Sequence, residues 1–341
     1  MRIGGFRSRK GRSDFEVSYR AGMRLLPEPV AVHDVPTAFG RVRVYRFGQV
    51  DGAPILLLPG RAGTTVMWRP NIAALAERHP VYAVEPLGEP GQSTQPAPIT
   101  GGDDQAEWLS TVLEALDLRG VHLVGVSFGG WLACNQALRR PERIASVSLI
   151  DSVCTFARFS ARLVLGVAFA GLRGWRAFLS WVSGGVAMPE GDPVGDVIIK
   201  GMRSFRLGTP LPTYFTDEQL RSIRVPVLAI VAGRSVMHDP RVAYARAGAL
   251  VPDVEAELWP AASHGLSAES PAEVNGRILR FVAATSARLG QSGLAEPDDD
   301  NARKDQRATE QLGTARDLAQ KQPGEDERQQ HFGERGERRE A

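Results

Sequence analysis

Short apolar runs alternate with longer stretches in which apolar residues recur every three or four positions, and this alternation continues through most of the chain. Residues 30–39 and 41–47 are strand-like, the second run placing Val42 and Val44 on one face, with Gly40 at the turn between them; an opening hairpin is predicted. Residues 54–58, Pro-Ile-Leu-Leu-Leu, form a continuous apolar run of the kind that fills the middle of a parallel sheet, and it stops at the loop Pro59 to Gly63. A helix is predicted over 67–78, with Trp68, Ile72 and Leu75 as its apolar stripe, and a buried strand over 81–84. The same rhythm predicts a helix over 105–118, a strand over 121–124, a helix over 131–138 and a strand over 145–150 that ends at Asp151. It resumes with a strand over 226–231, a helix over 241–250, a strand over 254–259 and a last helix over 272–282. Strands alternating with helices in this way indicate a doubly wound α/β fold, whose ligands sit at the C-terminal edge of the strands.

Residues 152–222 break the rhythm with apolar helical stretches containing Phe156, Phe159, Leu163, Trp175, Phe178 and Trp181, and these are expected to form an inserted helical cap. The apolar stretch from Leu163 to Leu172 is half as long as a membrane span and is bracketed by Arg162 and Arg173, so it is assigned to the cap. The expected organisation is a flexible basic arm over 1–24, a core from 25–151 and 223–289, the cap over 152–222, and a disordered charged tail over 290–341. Composition narrows the function. With 43% hydrophobic residues the chain can build a large core, and a net charge of +2 is too small for a nucleic-acid partner. Two cysteines give no disulfide framework, and the start has no signal-peptide run, so a cytoplasmic protein without a membrane span is expected.

The candidate chemistry centres on Gly125-Val126-Ser127-Phe128-Gly129, a Gly-x-Ser-x-Gly sequence that falls between a predicted strand and a predicted helix. Gly125 and Gly129 keep Cβ atoms out of a tight turn, so Ser127 is pushed into the open at a helix N-terminus. There the Phe128 N–H can donate to an oxyanion. A serine hydroxyl needs a base to take its proton, and His264 follows the 254–259 strand on the same sheet edge.

The elbow, the Pro59-Gly60 loop, the stretch from Val84 to Ser93 and the His264 segment together resemble the α/β-hydrolase fold family over residues 30–288, and within it bacterial carboxylesterases. The resemblance implies an eight-stranded, mostly parallel sheet with the cap inserted after the sixth strand. It also implies cofactor-free hydrolysis of a carboxylic ester through an acyl-enzyme, with no metal. Ser127 would be the nucleophile, His264 the base, and the N–H groups of Phe128 and Arg61 the oxyanion hole. The apolar cap points to an apolar ester substrate. Many relatives have His-Gly where this chain has Pro59-Gly60, which removes a side chain that braces the oxyanion loop.

Two assignments stay open. The family's usual acid position, about three residues past Gly233, holds Val236; Asp239 in the same loop is the favoured acid and Asp151 its rival, although Asp239-Pro240 before a helix also makes an ordinary N-cap. Other activities are a catalytically weak binding or scaffold protein on this fold and a cofactor-free perhydrolase, which uses the same serine and histidine.

Overall fold

The computed structural model describes residues 3–49 and 51–291. In chain order its elements are β1 (Gly5–Phe6), α1 (Arg9–Met23), β2 (Ala31–Thr37), β3 (Gly40–Phe47), β4 (Ile55–Leu58), α2 (Arg69–Ala76), β5 (Val81–Val84), α3 (Gly102–Ala115), β6 (Val121–Val126), α4 (Phe128–Arg139) and β7 (Ile144–Ile150). There follow α5 (Ala161–Arg173), α6 (Trp175–Val182), α7 (Pro193–Ser204), β8 (Phe205–Arg206), α8 (Asp217–Arg221), β9 (Val227–Ala232), α9 (Pro240–Leu250), β10 (Val254–Trp259), α10 (Leu266–Glu269) and α11 (Pro271–Gln291).

Eight strands form one sheet in the order β10-β9-β7-β6-β4-β5-β3-β2. β3 pairs antiparallel with both β2 and β5, and the remaining pairs are parallel. The period-2 alternation of a strand appears directly in β4. Leu56 and Leu58 pack towards Trp108, Val112 and Leu132, whereas Ile55 and Leu57 pack towards Ile72, Leu75, Ile278 and Phe281 on the other face. Every β4 side chain is therefore buried, as its uninterrupted apolar sequence requires. Parallel pairing points the C-terminal ends of β4, β5, β6, β7, β9 and β10 to one edge, where the loops carrying the candidate residues begin.

The segment expected as the cap lies between β7 and β9, after the sixth strand of the large sheet, and contributes α5 to α8 together with β8. Residues 3–24 differ from the expected flexible arm. β1 pairs with β8, and α1 packs on α7, burying Phe15 and Tyr19 completely or nearly so. The reason is a narrow stripe: Phe15, Ser18, Tyr19 and Gly22 recur at helical spacing between charged residues. Gly22 meets Val66 so closely that a Cβ would come within 2.4 Å of the valine Cγ1. A buried hydroxyl network completes the docking, Tyr19 donating to Glu85 at 2.8 Å and lying 2.9 Å from the Tyr45 hydroxyl. Of the expected disordered tail, residues 292–341 lie outside the described residues. Among the described residues both cysteines are buried free thiols, and no helix is long and apolar enough to cross a membrane.

Candidate active site

Ser127 sits between β6 and α4 with φ 56° and ψ −115°, a conformation that L-residues rarely adopt, and the positions two residues either side of it are glycines. A Cβ on Gly125 would meet the Gly129 carbonyl oxygen at 2.1 Å, and one on Gly129 would meet the Leu58 carbonyl oxygen at 1.9 Å. The elbow is thus wedged against the end of β4, and the loop that follows β4 lies beside the serine. A Cβ on Gly60 would be 3.3 Å from that of Ser127. Phe128 is the first residue of α4, so its N–H has no acceptor within the helix and is free for a ligand at the positive end of the dipole.

Strain gathers here. Among the described residues, the non-glycine residues with positive φ are Ala62, Asp117, Ser127, Asp151 and Cys154, and all but Asp117 follow β4, β6 or β7 at this edge.

His264 lies in the loop between β10 and α10, its side chain about nine-tenths buried. The preceding Ser263 is fully buried, with its backbone N–H on Glu269 Oε2 at 2.9 Å and its hydroxyl bonded to the other carboxylate oxygen, which fixes the loop. His264 Nδ1 is 2.5 Å from Asp151 Oδ2. Asp151, at the end of β7, is completely buried and accepts three further contacts. Ser235 donates to Oδ2 at 2.6 Å, the Ala232 N–H donates to Oδ1 at 3.0 Å, and His238 Nε2 stands 3.2 Å from Oδ1, in ion-pair range but without an aligned hydrogen bond. Burial pushes the Asp151 carboxyl up, but the His238 and His264 imidazoles outweigh it and hold the group well below the ordinary carboxylate range.

The favoured acid, Asp239, is corrected by this geometry. Its Oδ1 accepts the N–H groups of Arg241 at 2.9 Å and Val242 at 3.2 Å, so it is the N-cap of α9, with Pro240 in the first turn. Its half of the loop turns into the helix before it can reach His264, and Asp151 holds the imidazole instead.

The loop after β4 is held by a side chain that sequence reasoning passed over, on the loop after β5. Glu89, whose side chain is fully buried, accepts the Arg61 guanidinium at 2.5 Å and the Ala62 N–H at 2.9 Å. Arg61 also donates to Thr209 Oγ1 and the Pro210 carbonyl, both at 2.8 Å, and its guanidinium lies 4.0 Å from the centre of the Phe128 ring. Burial raises the Glu89 carboxyl, and the Arg61 charge and the Ala62 N–H oppose that rise. The Gly60 N–H meets the Met67 sulfur at 3.4 Å. The signal in the sequence was Gly88-Glu89-Pro90-Gly91, a carboxylate inside a turn, which marks a fixed side chain without revealing its partner.

Comparison with known proteins agrees with the geometry. Residues 53–180 match the α/β hydrolase fold family. The chain is 33% identical over 282 residues to a protein of Bacillus subtilis (strain 168) described as an uncharacterized carboxylesterase, nap; the match covers 78% of this chain and 91% of that one. The crystal structure of carboxylesterase CesB (YbfK) from Bacillus subtilis superposes with a TM-score of 0.74 at 32% identity, covering 81% of this chain and 99% of the other. That of naproxen esterase from Bacillus subtilis gives 0.72 at 32% identity, with 79% and 97% covered.

Proposed function

The chain belongs to the α/β-hydrolase fold family and is a hydrolase of the carboxylesterase type, and from that premise we propose that Ser127, His264 and Asp151 cleave carboxylic esters of apolar small molecules. Ser127 Oγ attacks the ester carbonyl while His264 Nε2 takes its proton. Asp151 keeps the Nδ1–H tautomer in place and offsets the imidazolium charge. The N–H groups of Phe128 and Arg61 receive the oxyanion, His264 returns the proton to the leaving alcohol, and water activated by the same imidazole hydrolyses the acyl-enzyme. Each step uses side chains and backbone of this chain.

The observation that carries the reading is the buried His264–Asp151 pair on the sheet edge that also bears the strained Ser127. An apolar substrate is supported by a cavity of about 550 Å³ in the cap, walled mainly by Leu165, Ala170, Phe178 and Trp181 with Arg162 as a charged lining residue, and bordered by Val236, the neighbour of the Asp151 partner Ser235. The buried free thiols of Cys134 and Cys154 suit a reducing cytoplasm.

The experiment is a hydrolysis screen of p-nitrophenyl and naphthyl esters of graded length. Turnover is expected for wild type and a loss of at least about 10,000-fold for Ser127→Ala, with unchanged melting temperature. Equal turnover by both proteins would rule the reading out.

A further inference from the structure

The loop after β4 contains a strained residue, Ala62 at φ 54°. An alanine stays in that conformation only if its surroundings hold it there. Two contacts to the buried Glu89 carboxylate do so. Glu89 Oε2 accepts the Ala62 N–H, and Glu89 Oε1 accepts the Arg61 guanidinium. The guanidinium is half-buried, resting on the Phe128 ring on one side and donating to Thr209 and Pro210 of the cap connection on the other. The side chain of one expected oxyanion donor therefore lies on the side chain of the other.

We propose that Glu89 is a positioning residue of the oxyanion hole, its carboxylate fixing the Arg61–Ala62 peptide, and that Arg61 carries this constraint across to the elbow and to the cap. The inference rests on the reading of the Arg61 and Phe128 N–H groups as oxyanion donors. It accounts for how the loop keeps its strained shape at Ala62. The chemistry fits. A carboxylate accepts both a charged guanidinium N–H and a backbone N–H, one on each oxygen, whereas a neutral amide of the same size offers only one accepting oxygen. Because oxyanion contacts act on the tetrahedral species and little on bound substrate, a loosened loop lowers kcat and leaves KM nearly alone.

The test uses the full chain with Glu89→Gln, Arg61→Ala and the double variant. It measures the second-order rate at which an alkyl fluorophosphonate labels Ser127, since the phosphoryl oxygen takes the oxyanion position, together with kcat and KM on the best p-nitrophenyl ester. Each single variant is expected to slow labelling and kcat by about 10- to 100-fold with KM within about threefold. The double variant should lose no more than the worse single, because both act through one loop. Should Glu89→Gln not fold, as judged by circular dichroism, Arg61→Ala and Arg61→Lys carry the same measurement; lysine cannot reproduce the fork and should recover only part of the rate. Folded variants that label within twofold of wild type would overturn the proposal. If such variants accompany normal ester turnover through Ser127, the brace falls and the esterase reading stands. If wild type labels but cleaves no ester while the variants label slowly, the brace stands and the esterase reading falls.

Discussion

The two sides of the site are built around buried carboxylates that are held in different ways. Asp151, behind the base, is met by two imidazoles, a hydroxyl and a backbone N–H, and the imidazoles keep its carboxyl low despite full burial. Glu89, behind the oxyanion loop, has one guanidinium and one N–H, and burial prevails there, leaving its carboxyl raised. The difference follows from the two tasks. An acid that must offset an imidazolium during each cycle needs its negative charge secured in advance by several donors. A brace that only has to hold a loop needs geometry more than charge.

The comparison can be broken most sharply at Asp151. Asp151→Asn should lower kcat by about 10,000-fold near neutral pH, because the amide favours the wrong His264 tautomer, whereas Asp239→Asn should stay within about threefold of wild type. pH-resolved kinetics of the two variants give the answer, and a large loss in Asp239→Asn with a small one in Asp151→Asn would reverse the assignment. Next come the losses of about 10- to 100-fold expected from Glu89→Gln and Arg61→Ala, about two to three orders of magnitude smaller on the same reaction. Smaller again are the outer contacts on each side. Ser235→Ala deletes the bond to Asp151 and Thr209→Val the bond to Arg61, each worth about 1 kcal/mol, so kcat should fall by about fivefold. A larger effect for Thr209→Val than for Glu89→Gln would mean that the cap, not Glu89, shapes the loop.

The smallest effect on turnover is expected from a buried ionisable group far from the chemistry. His122, inside β6, is held between Ser146 at 2.7 Å and Ser286 at 3.2 Å, and burial pushes its imidazole down to about 4. Its folded value lies below the ordinary 6.5, so the unfolded chain binds more protons between those pH values. Stability from this group is complete above pH 6.5 and is lost as pH falls towards 4, by up to about 3 kcal/mol. The Asp151 contribution is lost in a separate window, below its ordinary value of 3.8. Urea unfolding at pH 7, 5.5 and 4.5 should show the first decline, and His122→Gln should flatten it while kcat at pH 7 changes little.

Local patterns made the sheet, the elbow and His264 legible in the sequence, because each depends on neighbours close along the chain. The strand over 121–124 extends to Val126, and the helix expected over 67–78 begins with a 3-10 turn, Thr65–Trp68, before α2. These are boundary differences. What stayed hidden depends on partners far apart. Local sequence favours Asp239 over Asp151 as the acid; the choice is reversed by a contact spanning 113 residues, while Asp239 has an N-cap role next door. α1 was hidden for a related reason: its stripe of Phe15, Ser18, Tyr19 and Gly22 is too thin to stand out among arginines until α7 and Val66 supply the other face.

The central claim is that the strained Ser127 is an activated nucleophile served by the buried His264–Asp151 pair. Its most direct test is fluorophosphonate labelling followed by peptide mass mapping of wild type, Ser127→Ala and Asp151→Asn. The account predicts a single adduct on the peptide containing Ser127 in wild type, none in Ser127→Ala, and strongly slowed labelling in Asp151→Asn. An adduct on another residue, or equal labelling of wild type and Asp151→Asn, would contradict it.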